Sequence, residues 1–536
     1  MSKIILHGAE AQKLILKGVD FLADAVKITE GPRGRNVLLG QRALGQSPKV
    51  TRDGVTVSNY ADPSEPTEQM GADLVREAAQ KTDNAVGDGT TASIVLSQAM
   101  IHEGFKLISV GANPMAMERG IHKATDAIIT QLQRTAVRVI DKTKLQQVAT
   151  VSAHGDVTIG NLVADAVTKA GPDGVVTAEP STTSDTYVES VPGLELPKSN
   201  LIHPAFITHP QDMKAEYLDC RILLWEGVIA TARSIVPILD QVNKSLQTGG
   251  LPLIIIAGGY EAEALACIIK NKVQLALPII AVRMDAYGER RKEIMRDIAA
   301  LTGGKAFTED MGTKIESVIV KDLGQARKVI TDMSKTQIIQ GRGNQAELEG
   351  RVNSIRQAIE TAAPGEKSTL RHRLAVLTGG ITMIKVGGVT VTQMEETKDR
   401  VVDALSAAKA AIEQGVVAGG GSALFHAAVV LKKFPEDAEH LGVRVVETAC
   451  RSIARQIASN AGLTESEIDT IIEKLAASPD YGYNAFTDQF ENLVETGIVD
   501  PVKVVIESLK NASAVSFSIL TMGATVAEKI QEKTNG

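Results

Sequence analysis

Apolar residues recur at three- and four-residue spacing over long stretches at both ends of the chain. From about Ala9 to Arg134 the pattern predicts Ala-rich helices; one runs over 11–28 with Leu14, Leu16, Val19, Leu22 and Val26 as its apolar set. A strand-and-turn region interrupts them, with strands expected at 36–39, 49–51 and 55–57. The middle of the chain reads differently. Apolar runs at 221–225, 251–257 (LPLIIIA) and 278–282 alternate with helical patterns over 229–246, 261–272 and 289–301, the last stopped by Gly303-Gly304. Such alternation predicts an α/β module on a largely parallel sheet. After about Gly380 long helices return, ending with one from Pro501 to near Lys533. Periodicity leaves open whether the helical ends are two domains or one domain interrupted by the module.

Charge and composition remove several function classes. The 536 residues carry 57 Lys+Arg against 64 Asp+Glu, a formal net charge of -7, which argues against a mainly electrostatic nucleic-acid or anionic-membrane binder. Aromatic residues are only 3%, so the cores must be aliphatic and a base-stacking single-strand binder is disfavoured. Cys220, Cys267 and Cys450 lie far apart with no CxxC, which fits a reducing compartment and small buried apolar roles. The N-terminus has neither a signal-type apolar core nor an Arg/Ser-rich presequence. No stretch approaches the length of a membrane span, so a soluble intracellular protein is expected.

Several segments can carry chemistry. GDGTT at 87–91 leads directly into a helical pattern over 92–107. A helix N-terminus presents unpaired N–H groups, small residues admit a phosphate, and one carboxylate among phosphate-binding groups suits Mg2+. An ordinary N-cap would use the same residue types, and no Walker A Gly-Lys-Ser/Thr follows. GPRGRN at 31–36 is either an anion-binding turn or a tight helix-to-strand turn. Asp53-Gly54 reads as a hairpin turn. Asp403 faces away from its helix's apolar stripe of Val401, Leu405, Ala408 and Ile412, the usual mark of a solvated face. Asp500 reads as an N-cap with Pro501 at the first helical position. In the middle module, Ile235, Val236, Leu239 and Val242 on one helix and Leu265, Ile268 and Ile269 on the next pack on the sheet or leave a protein-binding stripe.

Together, VKITEGPRGRNVLL, VTRDGVTV, GDGTTASIVLSQAM, ALTGG, DLGQA, VVDALSAAKAAIEQGVVAGGGSAL, YGYNA and GIVDPVKV, in this order and spacing, resemble the GroEL-type group I chaperonins. The resemblance implies a multidomain α+β fold of chaperonin type. A mainly α-helical equatorial ATPase domain would comprise 1–134 and 414–536, a small intermediate domain 135–191 and 381–413, and an α/β apical domain 192–380. It implies an ATP-dependent molecular chaperone in which a homo-oligomeric ring, seven subunits per ring in the family, captures non-native polypeptides on apolar apical surfaces and encloses them. A GroES-type co-chaperonin would serve as lid; no nucleic acid and no membrane take part.

Carried over position by position, Thr29, Glu30, Gly31 and Pro32 match the phosphate-binding turn, joined by Arg52. Asp88 matches the Mg2+ ligand, with K+ as a further cation, and Gly89, Thr90, Thr91 and Ala92 surround the phosphates. Gly420, Asn484, Ala485 and Asp500 match residues around ribose and base. Asp403 matches the carboxylate that positions or activates the attacking water, and Asp53 a second carboxylate near the γ-phosphate. Val236, Leu239, Leu265 and Ile269, with Phe206 in the client loop, match client-binding positions.

The chain also departs from the family. Glu30 stands where the family has leucine, Arg52 where it has lysine, Ala92 where it has threonine, and Phe486 where it has an alanine beside the base. A glutamate near phosphates is expected to slow binding or hydrolysis through repulsion. Lys270 replaces an aliphatic residue of the apical groove, and Thr464 replaces the acidic partner of Arg455 between rings. A nucleotide-independent holdase ring and a single ring without a separate lid are therefore the alternatives. The drift suggests a divergent, virus-encoded homologue working in a host bacterial cytoplasm.

Overall fold

The computed structural model describes residues 3–528 except 41–47, 140, 172–174, 182, 192, 198, 211–212, 363 and 478–480. The chain forms two compact units, one from Met1–Asp165, Ala178–Tyr187 and Ile384–Gly536, the other from Ala166–Thr177 and Val188–Met383.

The first unit answers the question that periodicity left open. Helices Gly8–Lys27, Pro66–Val86, Thr90–Ser109 and Pro114–Thr135 share a single core with helices His440–Ala449, Ser452–Asn460 and Val502–Leu520. Ile15, Leu22, Val75, Leu96, Met100 and Ile121 from the first part pack with Val446 and Leu509 from the last. Local chemistry sets the helix starts: the Asn113 side chain accepts from the N–H groups of Met115 and Ala116, with Pro114 next in line. Small residues set the spacing. A Cβ added to Gly18 would overlap the Glu68 carbonyl, and one on Gly71 the Ile15 carbonyl, so helices Gly8–Lys27 and Pro66–Val86 cross at backbone contact.

Three expectations for this unit are corrected. Strands form at Val37–Leu39 and Lys49–Thr51, but 55–57 lies in the helix Gly54–Tyr60. The last helix ends at Leu520, and Ala524–Glu528 is a strand antiparallel to Lys3–His7; the expected end near Lys533 lies outside the described residues. Asp500 is not an N-cap. It sits in the short strand Val499–Pro501 opposite Val416–Ala418, and Pro501 takes the cap position of Val502–Leu520.

The second unit is built on an eight-stranded mixed sheet. Its path runs Gly193–Pro197, Lys335–Gly341, Gly324–Thr331, Ala215–Ile229, Leu253–Tyr260, Ile279–Met284, Ser199–Leu201, with Ala306–Phe307 beside Ala215–Ile229. Ala215–Ile229, Leu253–Tyr260 and Ile279–Met284 are parallel, as the apolar runs predict. The outer pairings are antiparallel, so the sheet is less parallel than expected. Ile254, Ile255 and Ile256 are all buried, because helices Ala232–Leu246, Ala262–Gln274 and Gly288–Thr302 contribute to the same core. Gly303, in the left-handed region at φ 73°, ends the third of these helices. An ion cluster links that helix to Gln345–Thr361 and Pro364–Gly379. In it Arg351 and Arg373 each bond both Glu293 and Asp297. Cys220 and Cys450 are buried as expected, whereas Cys267 is half-buried. Among the described residues no helix is long and apolar enough to cross a membrane.

Candidate active site

A cavity of about 630 Å³ lies within the first unit. The three-residue step Gly87–Gly89 between helices Pro66–Val86 and Thr90–Ser109 lines it. Gly87 and Gly89 both adopt left-handed backbone, at φ 67° and 77°, which turns the chain tightly enough to aim Asp88 and the open N-terminus of Thr90–Ser109 into one space. A Cβ on Gly89 would lie 2.6 Å from both Ser508 Oγ and Val504 Cγ1. One Asp88 oxygen accepts the Gly89 N–H at 2.6 Å and the other accepts Ser152 Oγ at 2.9 Å.

The turn after the first helix forms the adjoining wall. Asn460 Nδ2 donates to the carbonyls of Lys27 and Glu30, both at 2.9 Å, and Arg52 Nη2 donates to the Gly31 carbonyl at 2.9 Å. Thr29 Oγ1 donates to the Val26 carbonyl and lies 3.3 Å from Thr91 Oγ1, which joins the turn to the helix N-terminus.

Asp53 is the N-cap of helix Gly54–Tyr60 and not the hairpin corner that Asp-Gly suggested. Its oxygens accept from Val55 N at 3.1 Å, Thr56 N at 2.9 Å and Thr56 Oγ1 at 2.6 Å. Gly54 lets this cap approach: an added Cβ would collide with Thr91 Oγ1 and lie 2.8 Å from Thr90 Oγ1. Asp403 also lines the cavity, so this carboxylate of helix Val391–Gln414 is not on a solvated face. Ile412, expected on the apolar stripe, is exposed instead.

The electrostatics are lopsided. Burial and the nearby Asp88, Asp53, Asp399 and Asp83 carboxylates hold the Asp403 carboxyl well above the usual range. Burial raises Asp88 to about 6 against the opposing Gly89 and Ser152 hydrogen bonds. Burial, with Asp88 beside it, raises Asp500 to about 7 although the Gly420 N–H opposes the shift. Glu30 is pushed up to about 8 by burial and then by Asp500 and Asp88, with Arg52 pulling the other way. His154 is driven down to about 4 by burial and then by Arg52 and Arg400. A cavity with this surplus of carboxylate suits a ligand that brings positive charge. Among the described residues no three His, Cys, Asp or Glu side chains form a metal cage, so a cation here would take further ligands from water or substrate.

Part of the cavity lining is apolar, formed by Leu424, Ile453, Ile457, Tyr483, Ala485 and Phe486. The helix N-terminus and the turn suit phosphates, and the apolar part of the lining suits a flat apolar group.

The sequence model of the TCP-1/cpn60 chaperonin family matches residues 22–529. The chain belongs to this family. A similar solved structure is the chaperonin gp146 from the bacteriophage EL 2 (Pseudomonas aeruginosa), crystallised in the presence of ATP-BeFx. It covers 98% of this chain and 100% of its own with a TM-score of 0.70, at 20% sequence identity. The likeness establishes the multidomain α+β chaperonin fold.

Within this chaperonin-family chain, Thr29, Glu30, Gly31, Pro32, Arg52, Asp53, Asp88, Gly89, Thr90, Thr91, Ala92, Asp403, Gly420, Asn484, Ala485 and Asp500 all line the one cavity. Asp83, Ser152 and His154 line it too and carried no motif. His154 shows the reason: it sits in the left-handed region at φ 58° on a loop, placed by backbone geometry that no periodicity reports.

The client-surface expectation in the second unit needs correction. Phe206 is 0% exposed and Leu239 2%, both in the core. On Ala232–Leu246 the inward positions are Ile235, Ile238, Leu239 and Val242, and the helical repeat leaves Val236, 37% exposed, beside them. Leu265 and Ile269 are half-buried against the same core, while Val273 and Leu275 are exposed at the end of their helix.

Proposed function

We propose that this chain is an ATP-dependent molecular chaperone whose nucleotide site is the acidic cavity of the first unit. One observation carries the reading: Asp53, Asp88 and Asp403, up to hundreds of positions apart, line a single cavity with the open N-terminus of Thr90–Ser109. The ATP-BeFx present with gp146 supports the same assignment. The triphosphate lies against the N–H groups of the helix N-terminus and the turn at 29–32. Asp88, with phosphate oxygens and water, would hold Mg2+, which when bound offsets phosphate charge; the unpaired carboxylates fit that ion.

The two remaining carboxylates divide the work. Among the described residues no group donates a hydrogen bond to Asp403, so in its ionised form it is free to accept a proton from the attacking water as the oxygen bonds to the γ-phosphorus and the bond to ADP breaks. Asp53 already accepts three hydrogen bonds and orients the water instead of deprotonating it.

The five-segment division at 134, 191, 380 and 413, a seven-membered ring with a GroES-type lid, a cytoplasmic location and capture of non-native polypeptide belong to the same reading. Exposed apolar side chains such as Val236, Val273 and Leu275 are suited to that capture. The test is ATP turnover and nucleotide affinity of the parent beside Asp403→Ala. Turnover should fall by about 100-fold or more with affinity nearly unchanged. Equal turnover would refute the hydrolysis assignment and leave the nucleotide-independent holdase.

A further inference from the structure

Phe486 is 70% exposed although it belongs to the apolar part of the cavity lining. A Phe ring left this exposed gains little from folding, and among the described residues it has neither a ring nor a cation partner. Its backbone, in contrast, is tightly fixed. The hairpin Tyr481–Asn484 with Gln489–Asn492 closes through a turn in which Asn484 Oδ1 accepts Phe486 N at 2.9 Å and Thr487 N at 3.4 Å. Asp488 completes the turn: its N–H reaches the Asn484 carbonyl at 2.9 Å, and its carboxylate accepts Tyr483 OH at 2.8 Å. The turn fixes where the ring is attached before any ligand arrives.

The same hydrogen bonds limit how the site can read a base. Asn484 spends its oxygen on the turn and one Nδ2 hydrogen on Glu491 Oε1 at 2.5 Å, which leaves it a single amide N–H for a base edge. Contact through a flat face is open to the ring in addition, and every nucleobase has such a face.

We propose that Phe486 is the stacking wall for the nucleobase, a binding residue that holds the base by its face and leaves the phosphates to the helix N-terminus and the turn. The proposal rests on the nucleotide reading above. It predicts a contribution confined to ligands that carry a base.

The test compares the full-length parent with Phe486→Leu, which keeps apolar bulk without a ring, and Phe486→Trp, which keeps one. Affinities for Mg-ATP and for Mg-tripolyphosphate are measured by calorimetry, and the triphosphate of 2-aminopurine riboside reports stacking through quenched fluorescence. Phe486→Leu should bind ATP about tenfold more weakly, leave tripolyphosphate unchanged and relieve the quenching, with Phe486→Trp like the parent. If Phe486→Leu binds ATP as the parent does with quenching intact, the stacking assignment is overturned and the nucleotide site stands. If the parent binds neither ligand, the nucleotide reading falls and takes this proposal with it.

Discussion

Glu30 offers a sharp test of the cavity's charge balance. Its side chain receives no hydrogen bond among the described residues, and its pKa rises from 4.5 to about 8 through burial and then through Asp500 and Asp88. A carboxyl that holds its proton more tightly folded than unfolded destabilises the fold once the unfolded chain can ionise. The cost is absent below about pH 4.5, grows as pH rises, and is complete above about 8. At about 1.4 kcal/mol per pH unit, that window sums to about 5 kcal/mol at most. Asp500 and Asp88 are raised as well and add to the same downward slope. Glu30→Gln removes one titrating group at constant shape. Between pH 5.5 and 7.5 the parent should therefore lose up to about 3 kcal/mol more stability than the variant.

Denaturant titrations without nucleotide or divalent cation would measure this difference by far-UV circular dichroism, fitted with separate transitions for the two units. The single tryptophan, Trp225, lies in the second unit, so its fluorescence transition should not respond to the substitution and serves as an internal control. Identical pH slopes for parent and Glu30→Gln would mean that Glu30 is ionised in the folded chain, and burial would then not govern the charge of the cavity.

Two further substitutions probe other parts of the structure. Asp53→Ala should lower stability by about 1 kcal/mol through loss of the cap on Gly54–Tyr60 and slow ATP turnover as well; Asp53→Asn, which keeps a capping oxygen, should recover stability but not turnover. Arg373→Met leaves Asp297 and Glu293 with Arg351 alone and should cost on the order of 3 kcal/mol, read from the Trp225 fluorescence transition, with nucleotide affinity unaffected.

What the chain discloses depends on whether the cause is local. The Gly-Asp-Gly step is legible because two glycines and a helical pattern lie side by side, and the physics of a helix N-terminus needs nothing else. Asp53 misleads because Val55, Thr56 and Val57 are β-branched and look like a strand, yet burial of Val57 and Ser58 overrides that preference. Asp403 misleads for a different reason: a polar helix face meets solvent only when nothing faces it, and here other carboxylates do. The parallel centre of the sheet announces itself through LPLIIIA, whereas Gly324–Thr331 and Lys335–Gly341 offer neither a long apolar run nor a regular alternation and escape notice. The strand Ala524–Glu528 has its partner at Lys3–His7, a pairing that no window of neighbouring residues contains.

That closure between the first and last strands bears on biosynthesis. On a ribosome, residues 188–383 emerge as one continuous stretch and can complete their sheet while translation proceeds. The opening helices cannot follow suit, since Leu96 and Met100 wait for a helix still hundreds of codons away. Until Val502–Leu520 leaves the exit tunnel, the nascent chain displays unburied aliphatic surface.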